Sequence, residues 1–66
     1  MTTDQVIKAI RQAIDYIRSD GSMFAMRQEG YASGMIALAY FQGVITLDDY
    51  HTLNAEVESK VKGEKK

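Results

Sequence analysis

Residues 30 to 47 read GYASGMIALAYFQGVITL, eighteen positions without a charge and with glycine at 30, 34 and 43. Gly30 and Gly34 stand four apart among Ala32, Ala37 and Ala39, with Met35, Ile36, Leu38, Tyr40 and Phe41 between them. Small residues four apart on a helix let a second backbone come close, and large ones over the rest of its surface mean that almost every face needs cover. A chain of 66 residues has few of its own with which to supply it. The expectation is that a second copy, or another protein, covers part of this helix.

The same run must be weighed as a membrane span, because its length meets the criterion. Its content argues otherwise: Ser33, Gln42, Thr46, two tyrosines and three glycines interrupt it, and Gly43 marks a helix end inside it. A buried helix is the better reading, and a small membrane-associated protein stays only as a second alternative.

Working outward, the flanking segments also read as helices. Upstream, Ile7, Ile10, Ile14 and Ile17 recur at spacings of three, four and three, with Val6 and Ala13 beside them. This amphipathic stripe predicts a helix from Thr3 to Arg18, with Lys8, Arg11, Gln12, Asp15 and Arg18 on its wet side. Thr2 with Gln5 forms a capping box, and Asp4 suits the positive end of the helix dipole. Ser19-Asp20-Gly21-Ser22 is the turn, with Gly21 ending the first helix in the left-handed conformation and Ser22 capping the next. The second helix is expected over 23–42, with a kink near Gly30 as the alternative to close packing there.

Downstream, Gly43 stops the second helix and Thr46 caps the third, with Asp49 at the capping-box position and Ile45 and Tyr50 at the two staple positions. Leu47, Tyr50, Leu53, Val57 and Val61 lie on one side of a helix that runs to Val61. Residues 62–66 form a solvated tail after a single helical domain over 1–61. The fold class is therefore all-α, a helical hairpin plus a third helix, assembling as a helical homodimer. Absence of proline suits this.

Composition narrows the chemistry. A fold this small is near the lower limit for independent stability, and small proteins compensate with disulfides, a metal or oligomerisation. There is no cysteine and only one histidine, which leaves oligomerisation. Lack of cysteine, and an acidic rather than basic start, lead to the expectation of a reducing cytoplasm. The net charge of −1 gives no electrostatic support to nucleic-acid binding.

Ala39 and Gly43 have the spacing of a helix-turn-helix, but the helix after them begins Thr46-Leu47-Asp48-Asp49 and adds Glu56 and Glu58. Carboxylates repel phosphates, so an ordinary hairpin fits better. His51, with Asp48 three residues before it, makes at most half a metal site, so no metal is assigned and a surface histidine is expected. No nucleophile motif or phosphate loop is present, so neither catalysis nor a cofactor is expected.

Met23, Phe24 and Met26 follow the first turn and have two readings. One is a core corner where the first two helices meet, which is the plainer one. The other is an adaptable apolar contact for a partner, to which methionine is suited. With Gly30, Gly34, Ala37, Leu38 and Phe41 they make up the candidate interface. The four tyrosines suit interface edges, and Lys8, Arg11, Arg18 and Arg27 form a mild basic cluster that reads as a solvated face. The expected function is that of a small non-enzymatic regulator or inhibitor that works by protein–protein interaction, with the character of a bacterial or phage accessory protein. A weak nucleic-acid-binding transcriptional regulator is the first alternative.

Overall fold

The computed structural model describes residues 2–18 and 22–63. They form three α-helices, α1 (Thr3–Asp15), α2 (Met23–Phe41) and α3 (Leu47–Val61), with no strand among the described residues. The expected left-handed Gly21 turn, with Ser19 and Asp20, and the end of the tail at 64–66 lie outside them.

Each helix start is built from the residues that its sequence supplies. The Thr2 hydroxyl accepts from the Gln5 N–H while the Gln5 side chain accepts from the Thr2 N–H, so two otherwise unpaired donors of α1 are satisfied. Thr46 and Asp49 do the same for α3. At α2, Ser22 Oγ accepts from Ala25 N–H at 3.1 Å. The α2 end is equally complete. Gly43 has φ +74°, its N–H donates to Tyr40 C=O, and Val44 N–H donates to Ala39 C=O. This pair of bonds is a Schellman motif, which only a residue tolerant of positive φ closes without strain.

Helix α1 is shorter than its stripe suggests. It ends at Asp15 with Tyr16 as cap, yet Ile17 is buried beyond it. A single turn-like bond from Ile17 N–H to Ile14 C=O carries the chain on, and Arg18 N–H donates to Gln28 Oε1 of α2. Ile17 thus reaches the core from a non-helical segment, which periodicity alone cannot distinguish from one more helical turn.

The helices run up, down, up. Thr3 Oγ1 at the start of α1 donates to Val44 C=O just before α3. Further along, Arg11 forms a two-bond ion pair with Glu56, at 2.9 and 3.2 Å. At the far end, Lys60 Nζ donates to Asp15 C=O, one of the carbonyls left open where α1 stops. These three ties hold α1 parallel to α3, with α2 antiparallel to both.

Each helix places one large side chain at the centre, and Ile10, Ile36 and Leu53 are fully buried there. Ile14, Ile17, Ile45 and Val57 pack around them. The inward face of α2 is otherwise small, with Ala25, Ala32 and Ala39 seven residues apart, so α1 and α3 both come close to its backbone. Tyr40 and Tyr50 join α2 to α3 with ring centroids 4.8 Å apart. The staple pair, buried Ile45 and half-buried Tyr50, belongs to the same core. Leu47 departs from its expected side and is exposed. At 3.6 residues per turn it lies about 120° round α3 from Leu53, outside the inward stripe.

Candidate functional site

The notable chemistry of this surface is apolar. Met23, Phe24, Met26, Tyr31, Leu38 and Phe41 are all more than half exposed, and all belong to α2. Met23 and Phe41 lie on the side of α2 that faces away from α1 and α3, and Met26 lies towards its α3 edge. Phe24, Tyr31 and Leu38 lie about 80–120° from the inward direction, where they line shallow grooves shared with α1. The reason is geometric. The three alanines and Ile36 fix the inward direction of α2, and residues 23, 30, 34 and 41 fall within about 30° of the opposite direction at 100° per residue.

This placement overturns the core-corner reading of Met23, Phe24 and Met26. Ala25 is the buried residue of that turn, because only a small side chain fits where α2 begins against the rest of the chain. Phe24 instead carries the Arg18 guanidinium over its ring at 5.8 Å. A shallow groove beside it is lined by Ala13, Tyr16, Phe24, Arg27, Gln28 and Tyr31.

Gly30 and Gly34 are exposed, and an added Cβ at either would meet nothing within 4 Å. The backbone that they could let approach is therefore not one of this chain's own helices. No break in α2 accompanies Gly30: the helix is continuous from Met23 to Phe41. Ala37 is half-buried at the margin of the same face. The eight candidate interface residues thus share one side of one helix, with Ala37 and Met26 towards one edge and Leu38 and Phe24 towards the other.

Two members of this surface are not among the eight candidates: Tyr31, which reads from sequence only as one of four interface-edge tyrosines, and Arg27, which reads as part of a solvated basic face. Tyr31 is as exposed as Met26, and Arg27 sits in line between Met23 and Gly30. The signal was present, since residues 23, 27, 30, 34, 37 and 41 alternate spacings of four and three. A charge at Arg27 hid the stripe.

The polar candidates are placed elsewhere. Arg11 is engaged by Glu56, whose hydrogen bond and charge raise the guanidinium pKa above its usual value. With Arg18 over Phe24, the basic residues do not form one uncommitted cluster. His51 is exposed on α3, its ring edge-on to Tyr50 at 5.7 Å. Among the described residues no three His, Asp or Glu side chains gather as metal ligands, and no helix is long and apolar enough to cross a membrane. No family model matches the chain, and neither curated proteins nor solved structures give a significant match.

Proposed function

We propose that this chain is a small non-enzymatic regulator or inhibitor that acts by protein–protein contact, as a homodimer in the cytoplasm, with the outer face of α2 as its contact surface. One observation carries the reading: six large apolar side chains stand exposed on one helix of a very small fold. A contiguous exposed apolar face of this kind marks an interaction surface, whereas scattered exposed apolar residues need no explanation. Methionines at its start suit a surface that adapts to what it meets. The compartment rests on the lack of cysteine.

A paired experiment tests this against nucleic-acid binding. Apolar contact survives moderate salt, since screening acts on charges. Contacts to a few phosphates are lost by roughly 200 mM salt. Capture of a host protein across a salt series, abolished by Met26→Lys, is the expected result. Tight, sequence-selective duplex binding in a gel shift at physiological salt would overturn the reading and promote the DNA-binding alternative.

A further inference from the structure

We propose that the outer face of α2 is closed by the same face of a second copy, in an antiparallel α2–α2 pairing that sets Gly30 of one chain against Gly34 of the other. This rests on the reading of that face as the contact surface and deepens it by giving the geometry of the homodimer. The pairing takes residues 23, 27, 30, 34, 37 and 41 with the flank of 24, 31 and 38, and leaves Met26, on the opposite edge of α2, open to another protein.

The residues of the seam are arranged symmetrically about the level of Ala32. Gly30 and Gly34 lie two positions either side of it, Arg27 and Ala37 five, and Met23 and Phe41 nine. Spacings of four and three make these six the alternating a and d positions of a helix–helix seam. An antiparallel two-fold pairs each a with a d of the other helix, so every pair matches. Glycine meets glycine at the centre, where the backbones come closest. Met23 meets Phe41 at each end, where large side chains fill the widening gap. The long Arg27 stem crosses the small Ala37, leaving its charge free to reach water.

The flank of the seam obeys the same symmetry. Phe24, Tyr31 and Leu38 follow one another at intervals of seven. The two-fold brings Phe24 beside Leu38 and Tyr31 beside its own copy. An isologous contact needs a surface that is complementary to itself, and this one is.

Charge selects the direction. Arg27 is the only cation in α2. In a parallel pair it would meet Arg27 of the second copy across an apolar seam. In the antiparallel pair the two are separated by the rise of ten residues, ~15 Å, which exceeds the ~8 Å screening length at physiological ionic strength.

The area is also of the right order. Side chains of this size bury on the order of 200 Å² each, and 54–83% of each of the six is open. Counting Met23, Phe24, Tyr31, Leu38 and Phe41, each copy therefore offers at most on the order of 700 Å², which approaches the ~800 Å² per partner of a standard interface.

The test combines sedimentation with cysteine pairing, in a chain that has no cysteine of its own. Wild-type protein is expected to sediment as a dimer at micromolar concentration. Gly34→Leu finds open space within its own chain, so its helical circular-dichroism signal should persist while dimer affinity falls roughly ten- to a hundredfold through overpacking at the crossing. Arg27→Cys mixed with Ala37→Cys should form the mixed disulfide, and Arg27→Cys alone should not cross-link. This second arm decides the matter even if Gly34→Leu fails to fold. A monomeric wild type, unimpaired dimerisation of folded Gly34→Leu, or self-linking of Arg27→Cys would each overturn the pairing. A monomeric wild type that still captures another protein through a Met26-sensitive contact would overturn only the pairing and leave the proposed function in place. A dimer with the expected disulfide that captures no protein would do the reverse.

Discussion

The Val44 N–H donates to the Ala39 carbonyl at 2.9 Å, across the residue that turns α2 towards α3. Both residues belong to the core or pack against it, so the bond ends α2 at the point where the chain must fold back. Its geometry depends on Gly43 at φ +74°. Substituting Gly43→Ala places a Cβ on a backbone conformation that L-residues rarely adopt, although the space around it is open. The expected cost is about 1–2 kcal/mol, all of it from backbone strain. Urea denaturation measures it, as a lower midpoint with an unchanged slope.

At the other side of the same turn, Thr46 both accepts from Asp49 N–H and is held by the Asp49 carboxylate on its own N–H. Thr46→Ala removes the hydroxyl acceptor and leaves an N–H of the first turn of α3 without its protein partner. A loss of ~0.5–2 kcal/mol is expected in thermal or chemical unfolding. No change would mean that the cap contributes nothing to α3.

The caps were the most legible part of this chain, because capping is chemistry between residues three apart and needs no tertiary information. Thr2 with Gln5, Ser22, Gly43 and Thr46 with Asp49 could all be read from local spacing. The isoleucine stripe of α1 was readable for a similar reason, since a helix with one apolar side announces its inward direction. Helix α2 gives no such direction. Apolar residues surround it, so the pattern does not say which side turns inward. The decision falls to residue size, with Ala25, Ala32 and Ala39 inward where two helices approach. Met23, Phe24 and Met26 were open to a core reading for that reason. Smaller effects account for Leu47, which an angular drift at the start of α3 carries outside the stripe, and for the end of α1, where the helix stops early while its stripe continues to the buried Ile17.

At the centre, Leu53 of α3 is fully buried with Ile10 and Ile36. Leu53→Ala leaves a cavity where all three helices meet, and its expected cost is about 2–5 kcal/mol, the range for such truncations. In a fold near the lower size limit that is a large part of the total stability. Circular dichroism at 37 °C should record a substantial loss of helix, and retention of the full wild-type melting curve would mean that the site collapses around the missing atoms.

The last prediction separates the outer face of α2 from the core. Phe41 is 83% exposed, so within one chain Phe41→Lys gives up little packing, and a cation in the last turn suits the negative end of the α2 dipole. The fold of the isolated chain should therefore be retained to within about 0.5 kcal/mol, as for ordinary surface positions. Association is a different matter. If this face binds protein, folding and assembly are linked by mass action, and the melting temperature of the wild type should rise with protein concentration. Phe41→Lys buries a charge in the contact and should flatten that dependence while leaving the melting temperature at high dilution where it was. Melting curves across a wide concentration series test both halves together. A wild-type melting temperature independent of concentration would argue against self-association. A Phe41→Lys chain that is unfolded at every concentration would place Phe41 in the packing of the single chain, against its exposure in the structure.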